Sequence, residues 1–68
     1  MVTVTRLNGK ELMVNCDVIE CMEETPDTVI TFTNGTKIVV KEKVSVIKDR
    51  IISYKREIFS SMFENNRE

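Results

Sequence analysis

The chain has 68 residues and a net charge of −1, with no histidine, two glycines and two cysteines. At that length it is one domain at most, and it buries only about 60% of the surface that its unfolded form exposes. Imidazole catalysis and a closed four-ligand zinc site are excluded by composition, and enzyme function of any kind is not expected.

Val2 to Leu7 alternates apolar and polar residues, which predicts a half-buried strand. Asn8-Gly9 follows, a dipeptide suited to a two-residue hairpin turn because both positions tolerate positive φ. The return strand, about 10–14, places Leu12 and Val14 on one face. Asn15-Cys16-Asp17 is a turn signal, since Asn and Asp side chains bond the nearby backbone. Val18 to Glu24 is ambiguous. Ile19 and Met22, three apart, suit a helical turn, whereas the residues between them alternate as in a strand. The segment is short and another turn and strand follow directly, so a strand is favoured. Thr25-Pro26-Asp27 predicts that turn, with Pro at its first corner.

Residues 28–33 are the densest run of β-formers in the chain, with Ile30 and Phe32 alternating with Val29 and Thr31. Asn34-Gly35 repeats the first turn signal, and 36–41 return with Ile38 and Val40 on one face. From Val44 the period changes to that of a helix, expected over about 44–63. Val44, Ile47, Ile51, Tyr54 and Ile58 fall within an arc of roughly 80° and should pack on the sheet. Ile52, Phe59 and Phe63 form a second stripe about 100° away, and Asp49, Ser53, Arg56, Glu57 and Ser60 form the polar back. Such a helix is about 30 Å long, whereas a five-residue strand spans about 17 Å. Ile58, Phe59, Met62 and Phe63 therefore sit on an overhang. They either serve self-association or a contact with a partner, the favoured reading, or close the core of their own monomer.

The expected architecture is α+β: a small antiparallel β-meander of four to five strands, about 2–7, 10–14, 18–24, 28–33 and 36–41, followed by one long C-terminal helix. The whole of 1–68 is one domain, with 1–42 as its sheet portion, 43–63 as its helix and 64–68 as a frayed polar tail.

Cys16 and Cys21 would lie roughly 16 Å apart on one extended strand, beyond the ~7 Å reach of a disulfide, so two reduced thiols are expected. The N-terminus has no apolar signal region and no run approaches a membrane span, so a cytoplasmic protein is expected, without direct membrane insertion. Charge is uneven. Residues 1–40 carry three basic and six acidic groups, a balance of −3, and 41–68 carry seven and five, a balance of +2. Glu20, Glu23, Glu24 and Asp27 form a candidate acidic edge. Its spacing matches no calcium loop, and its ordinary role is to keep a sheet edge soluble. Gly9 and Gly35 both belong to hairpins, which leaves no phosphate-binding glycine loop. No cofactor, metal or small-molecule substrate is expected.

Several short pieces occur together in order. They are Val4-Thr5-Arg6-Leu7-Asn8-Gly9-Lys10-Glu11, Asn15-x-Asp17-x-Ile19-Glu20, Thr25-Pro26-Asp27-Thr28-Val29-Ile30-Thr31, Thr33-Asn34-Gly35 and Val39-Val40-Lys41-Glu42. With them the chain resembles the FlbD family of small flagellar proteins, which includes swarming motility proteins, over nearly all of residues 3–58. Two positions depart from the family pattern. Lys43 stands where a serine or similar helix cap is usual, so Glu42 or Ser45 is expected to substitute in part. Cys16 stands where proline is frequent, which makes that turn less rigid.

The resemblance implies a non-enzymatic cytoplasmic accessory of flagellar motility, tied to the power that stator units give the motor. Residue reasoning alone supplies the candidate contact surface: Ile52, Phe59, Met62 and Phe63. Expected partners are a second copy of the chain, a flagellar motor or stator component, or both. The alternative is a small β-rich nucleic-acid-binding regulator of flagellar expression, contacting through Lys37, Lys41, Lys43, Lys48 and Lys55. The net charge and the few aromatic residues weigh against it. A third route is addition of a basic partner strand at the acidic edge.

Overall fold

The computed structural model describes the backbone of residues 1–67 and the side chains of residues 1–62. Five antiparallel strands, β1 (Val2–Thr5), β2 (Glu11–Val14), β3 (Ile19–Glu24), β4 (Thr28–Phe32) and β5 (Lys37–Val40), precede one helix, α1 (Val44–Arg67). Class, element number and order agree with the sequence expectation. The helix runs past the expected end at Phe63, so residues 64–67 continue it rather than forming a tail.

Both hairpins use the same turn, and it is not the two-residue one. Gly9 N–H donates to the Arg6 carbonyl at 2.9 Å and Arg6 N–H to the Lys10 carbonyl at 2.8 Å. Gly35 N–H donates to Phe32 at 2.9 Å and Phe32 N–H to Thr36 at 2.8 Å in the same way. Each loop therefore has three residues, and only the glycine takes positive φ, +88° at Gly9 and +89° at Gly35. This is the three-residue hairpin in which a left-handed glycine absorbs one extra residue. Asn8 and Asn34 instead accept a backbone N–H two residues on, each at 3.0 Å, which holds the corner from its side chain.

The meander holds within each sheet but not across the middle of the chain. β1 and β2 form one sheet and β3-β4-β5 another. Between them lies a 3-10 turn, Cys16–Val18, opened by the Asn15 side chain accepting the Asp17 N–H. The chain thus leaves β2 without pairing it to β3. The first and last strands meet instead, through a bridge between Arg6 and Val40 and the Lys41 N–H donated to the Thr5 carbonyl at 2.8 Å. Cys16 belongs to the 3-10 turn and Cys21 to β3, so the two do not share one strand, and both are free thiols.

The ambiguous segment resolves as a strand with a defect. The β3–β4 register slips between Ile19 and Cys21. That slip inserts one residue, so Ile19 and Met22, three apart, both turn toward the core from an extended backbone. The spacing that resembled a helical turn comes from this bulge.

Alternation delivers the core: Val2 and Val4 from β1, Val14 from β2, Ile30 from β4, Val40 from β5 and Ile47 from α1. Ile30, Val4 and Ile47 are fully buried, each stabilising the fold by about 1.5–3 kcal/mol. Ile51 and Tyr54 pack half-buried beside them.

The outward edge of β1 meets groups from the junction between β5 and α1, not a continuous strand. Glu42 accepts the Thr5 N–H and the Thr5 hydroxyl, both at 2.8 Å. Arg50 Nη1 donates to the Thr3 carbonyl at 2.7 Å and to the Glu42 carboxylate at 3.1 Å. Burial works to raise the Glu42 pKa, but its bonds from Thr5 and Arg50 outweigh that, and it ends below the usual 4.5. With its carboxylate committed there, Glu42 does not cap α1, as one sequence expectation had it. Glu24, at the end of β3, accepts the Val44 N–H at 2.7 Å and does so instead. An anionic group suits that position, because the helix N-terminus carries unpaired N–H groups and positive potential.

Two predictions follow from these carboxylates. A depressed carboxyl pKa stabilises the fold fully above its unfolded value near 4.5, and that contribution is lost as pH falls through the lower folded value. Glu42→Gln should therefore show a shallower fall in melting temperature under acid than the parent chain, and lose about 1–3 kcal/mol at neutral pH. An identical acid limb in thermal melts would remove Glu42 from this role. Glu24→Ala should cost about 0.5–2 kcal/mol in urea unfolding, with faster amide exchange confined to the first turn of α1. Unchanged exchange at Val44 would show that the cap is not needed.

Candidate protein-interaction surface

α1 has 24 residues, about 36 Å of helix, on a molecule measuring 47 × 23 × 19 Å. The strands have four to six residues, so they cover only its first half. Val44, Ile47, Ile51 and Tyr54 are buried or half-buried, and the stripe then leaves the sheet. Ile58, expected as its last packed member, is 42% exposed, because the sheet ends before it.

The second stripe faces outward. Ile52 is 40% exposed, Phe59 62% and Met62 59%. The Phe63 side chain lies outside the described residues. Ile51, Ile52 and Phe59 floor a shallow groove of about 590 Å³, walled by Lys55, Arg56 and Ser60. Sequence periodicity placed Arg56 and Ser60 on the polar back and so missed that they rim the apolar stripe. The signal was available, since Ile52, Arg56 and Ser60 recur every four residues along one helix edge. The opposite flank of α1, with Asp49, Arg50, Ser53 and Glu57, lines a separate cleft of about 450 Å³ under Met1 and Thr3.

Lys55 reaches off the helix to Asp17 within the 3-10 turn, at 2.7 Å. The Lys55 ammonium, by hydrogen bond and then by charge, holds the Asp17 carboxyl below its ordinary range. The Asp17 bond and charge in turn raise the Lys55 pKa. Both side chains are well exposed, so salt screens this pair.

The four acidic-edge residues do not act as a unit. Glu24 caps α1, Glu23 stands opposite Val29 on the outer face, Glu20 lies at the bulge, and Asp27 lies in the turn whose Thr25–Pro26 bond is cis. Among the described residues no group of three or more His, Cys, Asp or Glu side chains is placed to hold a metal ion. Among the described residues no helix is long and apolar enough to cross a membrane. Of the five lysines in the nucleic-acid alternative, Lys55 is engaged by Asp17, while Lys37, Lys41, Lys43 and Lys48 are exposed on β5, the junction and α1.

No curated protein and no solved structure matches this chain. A family model described as FlbD, flagellar and swarming motility proteins, matches residues 1–59. That span takes in all five strands and the groove floor through Phe59, and it stops short of Met62 and Phe63. The chain belongs to the FlbD family, and its role lies in flagellar motility.

Proposed function

We propose that this chain is a non-enzymatic cytoplasmic accessory of flagellar motility that supports the power delivered by the stator and motor for swimming or swarming. It acts through protein–protein contacts of the outward stripe of α1. The observation that carries this reading is the exposure of Phe59 and Met62 on the half of the helix that the sheet does not cover, continued toward the sheet by the exposed Ile52. Scattered apolar residues are ordinary on a surface, but these three share one helical face and adjoin a groove. The contact is with a motor or stator component, or with a second copy of the chain. Phe63, next in the same stripe, belongs to this proposed surface by spacing.

The reading predicts that Phe59→Glu abolishes motility support in a strain lacking the native protein, while far-UV circular dichroism and urea stability of the purified variant stay near those of the parent. Met62→Glu should act in the same direction more weakly. Full motility in both variants would sink the assignment of this surface. Light scattering of Phe59→Glu beside the parent separates the partners: a loss of mass points to a second copy, and an unchanged mass to a different protein.

A further inference from the structure

The groove on α1 has a chemistry that narrows its occupant. Resting on the contact surface proposed above, we propose that it receives an acidic amphipathic helix of a partner protein. Apolar residues of that helix would sit on Ile52 and Phe59, and its carboxylates would face Arg56, Lys55 and Lys48.

The spacing fits a helix. Ile52 and Phe59 are seven residues apart, two turns or about 10 Å along the axis, which is the repeat at which a partner helix presents its own apolar positions. The charges fit an acidic one. Among the described residues the charged groups that line the groove are Lys55, which is paired with Asp17, and Arg56, and no carboxylate is among the lining side chains. Lys48 stands one turn before Ile52 and is exposed. The helix carboxylates Asp49 and Glu57 line the cleft on the other flank. Lys55 already shares its charge with Asp17, whereas among the described residues Arg56 makes no ion pair. A partner that covers the floor also dries the Arg56 guanidinium, and a drying cation needs a carboxylate.

The same charges oppose a second copy. A two-fold contact centred on Ile52 and Phe59 repeats the same patch on both sides. It would gather Lys55 and Arg56 of both copies around the axis, and like charges brought together there oppose association.

Two labelled synthetic helices with the same leucine stripe test this, one flanked by glutamates and the other by lysines. Each is titrated against the full chain at low salt by fluorescence anisotropy. The glutamate helix should bind at least about tenfold tighter than the lysine helix, weaken with added salt, and lose that preference against Arg56→Glu. Equal binding of the two, or binding of neither, overturns the inference. So does a light-scattering mass that drops on Phe59→Glu, since the occupant is then a second copy. If Phe59→Glu loses motility and neither helix binds, the contact surface stands and its acidic partner falls. If Phe59→Glu keeps full motility, both fall.

Discussion

The fold depends on how the outward edge of β1 is satisfied. A strand edge presents backbone N–H and C=O groups that must find partners when covered. Here the Thr5 N–H goes to Glu42, the Thr5 carbonyl to the Lys41 N–H, and the Thr3 carbonyl to Arg50. One carboxylate, 11% exposed, thus stands in for part of a missing strand. It joins the first hairpin to the last strand and, through Arg50, to the helix. A chain of this size has little core to spare, so a bonded junction of this kind carries more weight than it would in a larger domain.

That junction also sets the direction of α1. Arg50 ties its second turn to β1, Glu24 caps its start from β3, and Ile47 is sunk between the sheets. Further along, Lys55 leans on Asp17. These anchors all fall in the first half of the helix. Beyond them nothing in the sheet is long enough to follow it, and Phe59 and Met62 are left facing outward by geometry.

Among the described residues the acids held below their ordinary range owe it to the fold: Glu42 to the β1 edge and Asp17 to Lys55. Neither lies in the groove on α1. Membership of the FlbD family places the chain in flagellar motility. The match to the family runs through Phe59, so the groove floor lies inside the shared region, while Met62 and Phe63 lie outside it.

Much of this was legible in the residues. Alternation in β1, β2, β4 and β5 named the inward faces correctly, because a period of two assigns every side chain once one is placed. The change of period at Val44 located the helix, and its length against the strands announced the overhang. Other features needed contacts between distant positions. The turns at Asn8-Gly9 and Asn34-Gly35 have a third residue, because only the glycine of each dipeptide takes positive φ while the Asn side chain holds the corner. The cap came from Glu24, twenty residues before the helix, and the edge of β1 from Glu42 and Arg50. Sequence by itself determined the elements, their buried faces and the family, since local periodicity and turn chemistry act within a few residues. Only the tertiary structure decided which strands meet, which carboxylate serves which N–H, and where the sheet stops beneath the helix, since those bonds form between groups that the chain brings together only on folding.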